Sequence, residues 1–264
     1  MALSAGACGA QAAPKPSVVW AVGDGADGEA TGKALAGRVR HDRPDRFLYL
    51  GDVYAAGTAE DFRERYATVY GPLARITSPT PGNHEWGNRR VGYNAYWRAR
   101  TGRAQKPWYT FRLGGWRLFS LNSEAPHDAA SDQLRWLKRE LRGAHASCRI
   151  AFWHRPRTSA GSHGDSDDVA PLWNALKGRA RIVLSGHDHD SQRFRPSGGL
   201  VQYVAGAGGH GLYPVDRGDD RLRFADDTHY AALRIRLAPG VARLAFISAD
   251  GNVLDRSRVR CSGG

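Results

Sequence analysis

The stretch PTPGNHEWGN, residues 79–88, sets an amide, an imidazole and a carboxylate side by side at Asn83, His84 and Glu85. Amide oxygen and imidazole nitrogen are both metal donors, and an imidazole can also move a proton near neutral pH. Proline, glycine and asparagine alone would mark only a turn. What the tripeptide does therefore depends on what the fold brings to it.

Donors of the same kind stand at four other places: Asp24 in GDGA, Asp52 in GDVY, His154 in FWHRPR, and His187 and His189 in GHDH. Each follows a short apolar run. Oxygen and imidazole donors without a thiolate suit first-row metals such as zinc, manganese or iron. Six donors exceed what one closed tetrahedral site needs. They match two cations about 3.5–4 Å apart, bridged by a shared carboxylate, with positions open for water and substrate.

The elements that must gather these residues are legible as periodic patterns. SVVWAV (17–22), RFLYL (46–50), ITSPT, CRIAFWH and RIVLSGH read as strands. Helical patterns lie between them: EATGKALAGRV, AEDFRERYATVYGPL, SDQLRWLKREL capped by Ser131, and APLWNALKG. Alternating strand and helix predicts parallel βαβ units, whose strand ends open on one crevice. WYTFRLGGWRLFSLNS predicts a hairpin about Gly114-Gly115. The C-terminal third, through LVQYVAGAG, YAALRIRLA and VARLAFISA, reads as antiparallel.

The 264 residues are 41% hydrophobic, enough for a sizeable core, and no repeat or linker divides them. The expectation is an extended segment over 1–16 and a single α/β domain over 17–264. No apolar run approaches the length of a membrane span. The net charge of +12 comes from 33 arginines against 5 lysines. Such a surface favours anionic partners, whether phosphorylated small molecules, nucleic acid or anionic lipid. The arginines are scattered, with no basic block of the kind found in nucleic-acid-binding tails.

Cys8, Cys148 and Cys261 have no zinc-finger spacing. Cys8 and Cys261 flank the first and last predicted strands and are the pair chosen for a bridge. The opening MALSAGACGAQAAPKP is not a complete signal peptide, but AQA at 10–12 resembles a small-residue cleavage site. Secretion or a cell-envelope location is the expectation, with the cytoplasm as alternative.

GDGA, GDVY, GNHE, FWHRPR and GHDH, in that order, resemble the calcineurin-like metallophosphoesterases, and within them the purple acid phosphatase branch. The resemblance runs from about Ser17 to Arg195. It implies a β-sandwich of two mixed sheets flanked by helices, a four-layer αββα arrangement. It assigns Asp24, Asp52 and His189 to one metal, and Asp52, Asn83, His154 and His187 to the other. Iron paired with zinc, manganese or a second iron is the implied centre. Many family members carry a histidine two places after the first Asp, where this chain has Ala26. Purple acid phosphatases use a tyrosine in GDxxY instead; here GDVY brings Tyr54 one residue early, either as a phenolate ligand or as a residue packed near the site.

The resemblance further implies hydrolysis of phosphomonoesters by a metal-bound hydroxide, with His84 as general acid. Glu85 is read as an orienting carboxylate or a solvent-facing acid. Arg155, beside His154, could hold a phosphate oxygen, and His163 and His210 lie in glycine-rich loops that could border the pocket. A phosphodiesterase or nuclease with the same metals, acting on nucleic acid, is the nearest alternative. A non-catalytic phosphate-binding protein is an alternative of another class.

Overall fold

The computed structural model of the chain describes residues 15–142 and 148–261. Thirteen strands form two sheets. The first has the order β13-β12-β11-β1-β2-β3 and the second β10-β8-β9-β7-β6-β5-β4. In the first, β1 (Ser17–Val22), β2 (Arg46–Tyr49) and β3 (Thr77–Pro79) run parallel. β11 (Ala231–Ala238), β12 (Val241–Ser248) and β13 (Val253–Arg260) continue that sheet antiparallel. In the second, β4 (Tyr109–Leu113) and β5 (Trp116–Ser120) are the hairpin. β6 (Arg149–Phe152), β7 (Ile182–Ser185) and β9 (Val201–Ala205) extend it in parallel from β5. β8 (Ser191–Phe194) and β10 (Leu222–Asp226) close its far edge antiparallel.

Alternation along the strands explains the stacking. Val19, Leu48, Ile235 and Leu244 of the first sheet meet Leu118, Ile150, Leu184 and Tyr203 of the second in one dry layer. Over β1 and β2 the outer face of the first sheet is covered by α1 (Ala30–His41) and by a broken helical run. That run comprises α2 (Ala59–Asp61), a π-turn (Phe62–Tyr66), α3 (Ala67–Val69) and a 3-10 turn (Gly71–Ile76), where the pattern predicts one continuous helix. Short α4 (Asn83–Trp86) and α5 (Tyr93–Thr101) follow. The second sheet carries α6 (Asp132–Glu140) and α7 (Ala170–Leu176) on its outer face through Phe119, Leu137, Trp153 and Leu176. Ser131 caps α6 by accepting the Leu134 N–H at 3.2 Å. The architecture is the four-layer αββα sandwich.

Two expectations are corrected. β9 is not purely antiparallel, because it pairs in parallel with β7 on one side and antiparallel with β8 on the other. Cys261 bonds to Cys148, tying the end of β13 to the start of β6 across the two sheets. Cys8 and the AQA stretch lie outside the described residues. The Cys8–Cys261 choice fails because it ranked cysteines by nearness to the terminal strands, while the sheets stack Cys148 against Cys261 from 113 residues away.

Candidate metal centre

β1, β2 and β7 each end in a glycine followed by a site residue whose backbone turns left-handed. Asp24 has φ 60°, Asp52 φ 66° and His187 φ 76°. Non-glycine residues pay about 1 kcal/mol or more for that conformation, which clusters where side chains must be aimed. Here it turns all three inward at the carboxyl edge of the sheets. Gly186 serves the same end, because a Cβ there would stand 2.5 Å from Asp24 Oδ2.

Backbone amides then fix each carboxylate by one oxygen. The His187 N–H donates to Asp24 Oδ2 at 2.8 Å, and the His84 N–H to Asp52 Oδ1 at 3.0 Å. The second oxygens face the centre. Asp24 Oδ1 lies 3.3 Å from Tyr54 Oη and 3.8 Å from His189 Nε2. Asp52 Oδ2 lies 3.4 Å from His154 Nε2 and 3.7 Å from His84 Nε2.

The imidazoles are oriented from behind. His154 Nδ1–H donates to the Leu50 carbonyl at 2.9 Å and His189 Nδ1–H to that of Gly211 at 2.8 Å. Both therefore present Nε2 to the centre. His154 Nε2 faces Asn83 Oδ1 at 3.0 Å and His187 Nδ1 at 3.2 Å. Asp52, His154 and His187 together could hold a cation.

The Nδ1 bond of His154 turns Nε2 toward the oxygens of Asp52 and Asn83, where a cation would take the place of a proton. Burial opposes a proton on His154, but the carboxylates of Asp52 and Asp24 push it up to about 10. Burial also opposes charge on Asp52, yet His154 and His84 hold its carboxyl below the usual range. Burial pushes Asp24 well above that range. Burial holds His187 down to about 2 and His189 down to about 4, keeping both neutral, as ligands must be. These oxygen and imidazole donors fit a first-row metal ion: Asp24, Tyr54 and His189 form one group, and Asn83, His154 and His187 converge with Asp52 in another.

Tyr54 directs its hydroxyl inward, 2.8 Å from His189 Nε2. Burial first, then the carboxylates of Asp24 and Asp52, push this phenol well above its usual range. His84 and His210 flank its ring at 4.6 and 3.9 Å between centroids. His163 lies against His187 at 4.2 Å. The three partly exposed histidines are each tethered through Nδ1: His84 to the Ala55 carbonyl at 2.5 Å, His163 to Asp188 at 3.1 Å, His210 to Asp27 at 3.0 Å. Arg155 is less free than its neighbourhood suggests. Its Nε donates to Glu124 at 3.0 Å, and its Nη1 lies 3.3 Å from His187 Nε2.

Glu85 is neither solvent-facing nor bonded to an imidazole. It is fully buried, and Oε2 accepts the Val53 N–H at 3.2 Å. Burial and the neighbouring Asp52 carboxylate push it up to about 8. It orients the turn that carries Asp52 rather than a ring. Sequence reasoning missed Asp27, Glu124, Asp188 and Tyr213, which stacks on His189 at 4.0 Å. Asp188 is the third residue of GHDH and Asp27 directly follows GDGA, so their proximity to the donors was the available signal.

A family model for calcineurin-like phosphoesterases matches residues 18–191. Purple acid phosphatase 21 of Arabidopsis thaliana is 28% identical over 171 residues, which is 58% of this chain and 39% of that protein. The chain thus spans about two-fifths of the length of that relative. Among solved structures, purple acid phosphatase PPD1 from yellow lupin seeds superposes with a TM-score of 0.74 at 19% identity, over 93% of this chain and 54% of that one. GAP50, described as the anchor in the inner membrane complex of Plasmodium, superposes with a TM-score of 0.78 at 15% identity, over 94% and 90%. At these identities the superpositions speak for the fold alone.

Proposed function

Because this chain belongs to the calcineurin-like phosphoesterase family, we propose that it hydrolyses phosphate esters, phosphomonoesters foremost, at a two-metal centre. The observation that supports the reading is the convergence of Asp52, His154 and His187, with Asp24, Tyr54 and His189 grouped at the same strand ends. When bound there, the cations supply a nucleophile drawn from water near neutral pH and neutralise charge on the phosphoryl oxygens. An iron beside Tyr54, with zinc, manganese or a second iron beside Asn83, is the proposed pairing, since an anionic phenolate oxygen suits a trivalent ion.

The side chains around the centre divide the remaining work. His84, held by Ala55 through Nδ1, aims Nε2 along the Asp52 side, where it can give a proton to the departing alkoxide. His163 and His210, each braced by an aspartate, offer Nε2 to oxygens of the bound ester. Arg155 keeps part of its guanidinium beside His187 and can reach a phosphoryl oxygen without leaving Glu124. The Cys148–Cys261 bond supports an oxidising compartment, so we place the protein outside the cytoplasm or in the cell envelope.

Turnover of a chromogenic phosphomonoester, a bis-ester and single-stranded DNA by the metal-loaded protein tests the reading. Preferential monoester hydrolysis is expected. Preference for the diester or DNA would make it a phosphodiesterase or nuclease, and phosphate binding without turnover would make it a binding protein.

A further inference from the structure

Six of the arginines that are scattered in sequence gather on one face of the first sheet. Along β11, β12 and β13 the inward residues fill the core between the sheets, and the outward ones include six arginines: Arg234, Arg236, Arg243, Arg256, Arg258 and Arg260. Arg236 pairs directly with Arg243, and Arg243 with Arg258, making a row of three across adjacent strands. Arg234 and Arg256 lie on the next row, opposite Ala245 from either side, and Arg260 follows Arg258 along β13. Arg236, Arg243, Arg256, Arg258 and Arg260 are exposed.

Like charges placed directly opposite across a sheet destabilise it. A solvated face relieves that with interspersed acids, and this one does not. Asp42 lies against it but is bound by Arg234 at 2.6 and 2.9 Å. Asp255 of β13 points the other way, to Arg193. Among the described residues none of the five exposed arginines has an ion pair. Protection of an exposed strand edge explains charge on β13, but not on β11 and β12, which are interior strands.

We propose that this face docks on the surface of an anionic lipid bilayer. The array lines an open hollow of about 610 Å³ bounded by Arg234, Arg236, Arg243, Arg256 and Arg258. Its charges spread in two directions, about 4.8 Å between strands and about 6.7 Å along each, which suits several separate headgroups better than a single backbone path. Val253, one of two large exposed apolar residues described, sits at the end of the same face opposite Ile247. The face offers no exposed aromatic ring on which bases could stack, as single-stranded nucleic acid binding requires. Arg236 is level with Val18, at the start of β1, whereas Asp24 follows its other end. The row Arg236, Arg243 and Arg258 therefore lies toward the opposite end of β1 from Asp24.

Sedimentation of the full chain with phosphatidylcholine vesicles, with or without about 30% phosphatidylserine, tests this at ~0.05 and ~0.15 M salt. Binding is expected only to the anionic vesicles and should weaken with salt. Arg243→Ala with Arg258→Ala should lower partitioning about 30-fold, equivalent to ~2 kcal/mol. The corresponding lysine pair should retain binding, which separates lost charge from lost fold. Monoester turnover should be the same in all three proteins. Absence of binding to anionic vesicles, or equal binding by wild type and the alanine pair, overturns the proposal. Tighter, arginine-dependent binding to duplex or single-stranded DNA would overturn it in favour of a nucleic-acid surface.

Discussion

Tyr54 Oη lies 2.8 Å from His189 Nε2, although GDVY brings the tyrosine to the turn one residue earlier than the GDxxY pattern. The loop after β2 absorbs the difference and still points the phenol between Asp24 and His189. If that oxygen binds iron, its charge transfer gives the protein a visible absorption band. Tyr54→Phe should abolish the band and lower iron retention while the secondary structure is unchanged. Identical spectra and iron content in both forms would make Tyr54 a packing residue.

His84→Ala should slow the hydrolysis of esters with poor leaving groups by about 10²–10⁴-fold, because a general acid contributes about that much. Aryl esters whose leaving group needs no proton should lose far less. Metal content should stay at the wild-type level. Equal loss across a leaving-group series would remove His84 from the acid role.

Gly82 has φ −105°, which any residue adopts. A Cβ there would nonetheless overlap Asp52 Oδ1. Gly82→Ala is therefore expected to fold, by circular dichroism, and to lose affinity for both metals. Retention of wild-type metal content would show that Asp52 can shift without cost.

The two sheets are joined covalently by Cys148–Cys261. Cys148→Ser should destabilise the protein by about 2–4 kcal/mol in urea titrations under non-reducing conditions. Addition of a reductant should bring the wild type to the variant's midpoint and leave the variant where it is.

Asp42 accepts hydrogen bonds from Trp20 Nε1 at 2.8 Å and from Arg234. Burial acts to raise this carboxyl, but the bonds from Arg234 and Trp20 outweigh it and hold it below its usual value. A depressed folded-state value adds stability that is present above the unfolded value of about 3.9 and is lost as pH falls through the folded one. Asp42→Asn should therefore be less stable than wild type near pH 7. The gap should close as pH falls below about 4, and a gap independent of pH would mean the carboxylate charge contributes nothing.

The positions of Asp24, Asp52, Asn83, His154, His187 and His189 were legible because parallel strands carry their end residues to one edge, whatever the distance in sequence. The bracing acids were not. Asp27 meets His210 across 183 residues and Glu124 meets Arg155 across 31, pairings that follow from loop geometry and have no local pattern. β8, β10 and β13 escaped reading because SQRF, LRFAD and VLDRSRVR are polar runs. Its neighbours bury β8, while β10 and β13 are edge strands that stay partly exposed. The arginine array was invisible for a related reason. Its members alternate with core residues on three strands, so no window of sequence contains the row Arg236, Arg243, Arg258.

The central claim is a pair of cations gathered around Asp52. Elemental analysis of protein purified without chelator, followed by monoester turnover before and after chelation, tests it most directly. The account predicts close to two transition-metal ions per chain, activity abolished by the chelator and restored by added metal. Protein without bound transition metal, hydrolysing monoesters at the same rate in excess chelator, would contradict it.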